Sequence, residues 1–153
     1  MVTASSTRPP RTCADDVREI DEFFRVLVSR IDPDAVPLCE VTDLYTALEV
    51  VKRRAESTML LLARRVEEVG RWKRDGYRSA ADQLAGIAGT SVGAAKNQLE
   101  TSKKVAKLPA TAQALRKGKL SPAKAEAIAA AAEIAPEAEA DCWTGRRTRR
   151  SRR

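Results

Sequence analysis

From Ala14 onward the apolar residues Val17, Ile20, Phe24, Leu27 and Ile31 step by threes and fours, the spacing that keeps one face of an α-helix apolar. Asp15 and Asp16 stand at its start, where carboxylates favour the positive end of a helix. Pro33 and Pro37 end it within the segment 32–37, because proline cannot continue the hydrogen-bond ladder. A second stripe follows in Val41, Leu44, Leu48, Val51, Ala55, Thr58, Leu62, Val66 and Val69, and predicts a rod about 45 Å long. Two such helices joined by a short turn read as an antiparallel hairpin over residues 14–70. Two arrangements stand: the stripes pack on each other within one monomer, or the helix over 41–69, whose stripe outruns the shorter helix, also pairs with a second copy in a homodimer.

Beyond this rod the pattern shortens. Gly70 caps it and Asp75-Gly76 makes a turn. Ser79 is an N-cap for a helix to Ala88, Gly89-Thr90 is a break, and Ser91 caps a helix to about Lys107. Pro109 opens a short helix that ends at Gly118, and Ser121-Pro122 starts an alanine-rich one through Ala135. Nothing reads as a strand. The expected fold is all-α, a long helical hairpin followed by a helix-turn-helix-like multi-helix unit over 71–135. Residues 1–13, rich in Ser, Thr, Pro and Arg, read as a disordered arm, and 136–153 as a basic, disordered tail.

Charge sharpens this division. The 153 residues carry a net charge of +7, unevenly distributed. Residues 1–70 hold 10 basic and 13 acidic side chains, 71–118 hold 10 and 3, 119–143 hold 2 and 5, and the last ten hold six Arg and no acid. A local surplus of this kind marks a surface rather than general solubility.

Candidate chemistry narrows the function. The sequence has no histidine, which excludes Ser-His-Asp and Cys-His nucleophiles and His-ligated metals. Cys13, Cys39 and Cys142 are widely spaced, without a C-x-x-C pair, so neither a zinc site nor a disulfide framework is indicated. No cofactor or metal is expected, and no enzymatic activity. The N-terminus lacks the apolar stretch of a signal peptide, and the longest apolar run, Met59 to Ala63, is far too short for a bilayer. The expectation is a cytoplasmic protein with no membrane partner.

The segment SAADQLAGIAGTSVGAAKNQLETSKKVAKL (79–108) is two helices around a Gly-containing turn, the helix-turn-helix arrangement. With Gly89 at the turn, Ala85 takes the close contact and Leu84, Ala88 and Ala95 the apolar positions. The second helix should turn Ala95, Leu99, Ser102 and Ala106 inward, leaving Lys96, Asn97, Glu100, Lys103, Lys104 and Lys107 outside. Lys and Arg neutralise phosphates and release counterions, and Asn can read an adenine edge in the major groove. The candidate DNA-binding residues are therefore Ser91, Lys96, Asn97, Lys103 and Lys104, with Arg74, Arg78 and Lys119 positioning the backbone. The same lysines, with Glu100, also fit ordinary i,i+4 pairs on a solvated helix face. Trp72 reads as a core anchor rather than a stacking platform.

Two family resemblances rest on these residues. The two-helix motif followed by Leu108-Pro109 and Gly118-Lys119-Leu120-Ser121 resembles the DNA-binding core of ParB-like partition proteins. From the long helix through Arg64-Arg65, Gly70, Trp72, Gly76 and Ser79 to the LPAT and GKLS elements, the chain is similar to the actinobacterial family called domain of unknown function 222, which typically precedes an HNH endonuclease domain. That resemblance implies a helical, DNA-associated module, truncated before the HNH part. Its nuclease activity does not carry over, since no histidine is present to ligate a metal or act as base.

After Ala140 the text becomes DCWTGRRTRRSRR. It reads either as a phosphate-binding basic arm or as coding sequence out of frame. The leading expectation is a non-catalytic DNA-binding module. A helical interaction or dimerisation module, and a non-functional truncated remnant, are the alternatives.

Overall fold

The structure, a computed structural model, describes residues 12–134. These form six helices and one 3-10 turn, with no strand among them: α1 (Cys13–Ser29), α2 (Leu38–Val69), the turn Arg71–Lys73, α3 (Ala80–Ala88), α4 (Val92–Val105), α5 (Pro109–Arg116) and α6 (Pro122–Ile134). The fold is all-α. The expected tail at 136–153 and residues 1–11 of the expected arm lie outside the described residues. Thr12 and Cys13, assigned to that arm, instead open α1. The Thr12 hydroxyl accepts from the Asp15 amide while the Asp15 carboxylate accepts from the Thr12 amide, so two otherwise unpaired helix-end donors are satisfied reciprocally.

Compactness divides the chain into two units inside α2, residues 1–45 and 46–153. In the first, α1 buries no residue. Of its predicted stripe Val17, Ile20 and Leu27 are exposed, and Phe24 and Ile31 half-buried. Local interactions support it: the capping box and the i,i+3 pairs Arg18–Asp15 and Arg25–Glu22.

The second unit holds the core. Leu60, Val105, Leu115 and Leu120 pack with Ala114, Ala125 and Ala129. Ala63, Ala80 and Leu99 form a second cluster, against which Trp72 packs, and Ala81, Ala85 and Ala95 a third at the α3–α4 contact. Trp72 is thus the core anchor its context implied, with the Lys73 ammonium 5.3 Å from its ring centre. The sequence placed the unit boundary at residue 70. The structure carries the second unit back to residue 46, because Leu60 and Ala63 of α2 are core residues of that unit.

The buried face of α2 is not the predicted stripe. Ser57, Leu60 and Ala63 are its buried residues, whereas Val51, Ala55, Thr58, Leu62 and Val69 are exposed. The physical reason is what meets the helix: Ser57 donates to the Leu120 carbonyl, Leu60 joins the cluster of Val105 and Leu115, and Ala63 packs with Ala80 and Leu99. The small Ala63 and Ser102 admit the approach at which the Arg64 amide donates to the Ser102 hydroxyl at 3.1 Å.

The shorter elements follow their caps. Ser79 and Ser91 accept from the amides of Asp82 and Ala94, and Pro109 and Pro122 are the first residues of α5 and α6. Gly89 and Gly118 take left-handed φ of 63° and 66°, a conformation glycine adopts without the Cβ clash of other residues.

Candidate nucleic-acid interface

The α3–α4 pair is built from small residues. Ala81, Ala85 and Ala95 are buried against one another, with half-buried Leu84 beside them, and Gly89-Thr90-Ser91 turns the chain between the two helices. Ala88, expected at an apolar contact, is exposed. Along α4 the buried set is Ala95, Leu99, Thr101, Ser102 and Val105. Ala106, predicted to turn inward, is exposed, because it is the C-cap and Val105 takes the core position.

Much of the polar face of α4 is tied to neighbouring helices. The Lys103 ammonium lies 2.9 Å from Glu67 and 3.0 Å from Glu100, and these carboxylates hold it above the ordinary lysine range. Lys104 pairs with Glu133 at 2.8 Å. Asn97 donates to Glu126 at 2.6 Å and lines a groove of about 630 Å³ that also contains Glu56 and Glu126. The two carboxylates lining that groove oppose the approach of a phosphate. Ser91 is occupied as the N-cap of α4.

The remaining candidates are freer. Arg74, Arg78, Lys96 and Lys119 are exposed, and none of their side chains has a carboxylate partner among the described residues. They lie on different elements: Arg74 and Arg78 before α3, Lys96 early in α4, and Lys119 in the α5–α6 turn. Charge counting along the chain detected the surplus but not which cations it leaves unpaired, since Glu67 and Glu133 lie outside the basic block they neutralise.

A further group of cations in the second unit was, apart from Lys119, not singled out by the sequence. The α5–α6 turn lies against α2: the Ser57 hydroxyl donates to the Leu120 carbonyl at 3.1 Å, and a Cβ on Gly118 would stand 3.0 Å from Arg54 Cγ. Arg53 and Arg54 are thereby brought to the turn that carries Arg116, Lys117 and Lys119. Their separation in sequence hid this juxtaposition, and no periodicity signals it.

Among the described residues no group of three or more Cys, Asp or Glu is placed to hold a metal ion. No described helix is long and apolar enough to cross a membrane. Cys13 and Cys39 are exposed free thiols, and Cys142 lies outside the described residues. The chain matches no curated protein and no solved structure. The family model described as Domain of unknown function (DUF222) matches residues 42–151, from the first turns of α2 through α6 and well over half of the chain, and the protein belongs to that family.

Proposed function

We propose that this DUF222 chain is a non-catalytic, cytoplasmic DNA-binding module whose helix-turn-helix pair is α3, the Gly89 turn and α4. The observation that carries the reading is the construction of that pair: a contact centred on Ala81, Ala85 and Ala95, a left-handed glycine turn and a serine N-cap on the second helix. Helices brought together in this way present the N-terminal part of the second one to a groove. Arg74, Arg78, Lys96 and Lys119 contact phosphates, and Lys103, Lys104 and Asn97 fix α4 against its neighbours.

The test is fluorescence anisotropy of a labelled duplex of about 20 base pairs titrated with the full chain over a range of salt. Four phosphate contacts give a fall of log K against log salt with a slope of about −3.6, and further contacts steepen it. Absence of duplex binding at low salt would sink the reading.

A second reading starts from the outer face of α2, where Val51, Leu62 and Val69 are exposed at the heptad-like spacing of a two-stranded coil. In that reading the occupant is a second copy of this chain and the module assembles homodimers. Sedimentation of a dimer that lacks duplex affinity would support this reading alone.

A further inference from the structure

We propose that the junction between α2 and the α5–α6 turn, carrying Arg53, Arg54, Arg116, Lys117 and Lys119, is a surface that grips the phosphate backbone of duplex DNA. The inference rests on the DNA-binding reading and locates a further contact for it, outside the α3–α4 pair.

Five cations gather at the junction without carboxylate partners. Some cations of the described residues are matched, Arg18 by Asp15, Arg25 by Glu22, Lys52 by Glu49, Arg64 and Arg65 by Glu68, Arg71 by Asp75, Lys103 by Glu67 and Glu100, and Lys104 by Glu133, while others, Arg74, Arg78 and Lys96 among them, stand singly on different elements. At the junction none of the five has such a partner among the described residues. Arg53 is half-buried and the other four are exposed. Like charges gathered without counter-charges repel one another, and a polyanion relieves that repulsion while releasing its own condensed counterions.

The fold also holds the junction in place. The Ser57–Leu120 hydrogen bond is buried and joins residues 63 positions apart. Gly118, lacking a Cβ, leaves room for the stem of Arg54 to lie across the turn. Arg116 and Lys117 close α5, where a cation offsets the negative helix end, and that effect accounts for two of the five. Arg53, Arg54 and Lys119 are outside it.

Duplex DNA fits this surface better than a lipid membrane does. Residues 116–119 are Arg, Lys, Gly and Lys, so the turn offers no apolar side chain to bury in a bilayer, which stable membrane docking needs besides charge. A duplex presents about one phosphate per 1.7 Å of axis and rewards clustered cations directly.

The experiment compares the full-length protein with two charge-matched triple variants, Arg54→Gln/Lys117→Gln/Lys119→Gln at the junction and Arg18→Gln/Arg25→Gln/Arg65→Gln at paired sites. Each is titrated against a duplex of about 20 base pairs and against phosphatidylserine–phosphatidylcholine vesicles. The junction variant should bind duplex about tenfold or more weakly, with its salt slope shallower by about 2.7, the value for three lost phosphate contacts. The paired-site variant should keep the wild-type slope. A Lys117→Gln/Lys119→Gln protein leaves Arg54 on Gly118 untouched and should lose about 1.8 of slope, and circular dichroism checks the helix content of each. Unchanged affinity and slope in the junction variant overturn this assignment and leave the DNA-binding reading standing. Failure of the wild type to bind duplex overturns that reading and this assignment with it, and vesicle binding in its place reassigns the surface to membranes.

Discussion

The Ser57 hydroxyl donates to the Leu120 carbonyl at 3.1 Å, with Ser57 fully buried. It fastens the middle of α2 to the turn before α6, two segments that share no local structure. Ser57→Ala removes the donor and leaves a buried carbonyl unpaired. A loss of about 1–3 kcal/mol is expected in urea unfolding. Ser57→Leu should cost more, because its bulk has to enter the close contact with the turn.

Gly118 and Gly89 share a left-handed backbone but differ in their surroundings. An added Cβ meets nothing within 4 Å at Gly89 and meets Arg54 Cγ at 3.0 Å at Gly118. Gly89→Ala should therefore cost about 1–2 kcal/mol from conformation alone. Gly118→Ala should cost more, and Arg54→Ala in the same chain should recover the excess. Thermal melts of the single and double variants measure both.

Leu60 is 2% exposed and Leu62 is 54% exposed, although periodicity ranked Leu62 as the inward residue. Leu60→Ala should destabilise by about 2–5 kcal/mol through lost burial and a cavity. Leu62→Ala should change monomer stability by no more than about 0.5 kcal/mol. A concentration-dependent loss with Leu62→Ala would identify the outer face of α2 as a contact between copies.

Lys103 titrates above the ordinary lysine range because Glu67, and then Glu100, accept from its ammonium. A folded-state value above the unfolded one, about 10.4, gives stability that is present below that pH and lost as pH rises through the folded value. Lys103→Met should therefore flatten the alkaline decline of stability above about pH 10.4. Its side chain is 41% exposed, and screening keeps the effect below about 1 kcal/mol. Urea midpoints at pH 8 and pH 11 give the comparison.

Asp15 shows the opposite sign at the start of α1. Hydrogen bonds from the Thr12 side chain, then from the Thr12 backbone, hold its carboxyl below the usual aspartate value. The capping contribution is present above the unfolded value, near 3.9, and is lost as pH falls through the folded one. Thr12→Ala should raise the Asp15 titration midpoint toward the ordinary range, which carboxyl NMR reads directly.

The sequence by itself determined the class and most helix boundaries. Ser79, Ser91, Gly89, Pro109 and Gly118 act on the backbone groups beside them, so their chemistry is complete within one turn of chain. It also carried the family, through residues spread from the long helix to the turn at 118–121. Two matters were decided only by the tertiary structure. The buried face of α2 is Ser57, Leu60 and Ala63, because the turn at Leu120, the Val105–Leu115 cluster and Leu99 meet the helix there, and two of these three are small residues that a search for large apolar spacing passes over. Which cations remain free was decided likewise: Glu67 and Glu133 reach Lys103 and Lys104 from α2 and α6, while Arg53 and Arg54 come to the turn that carries Arg116, Lys117 and Lys119 without an ion pair among the described residues. Electrostatic partnership depends on distance through space, and only packing brings residues tens of positions apart to within a few ångströms.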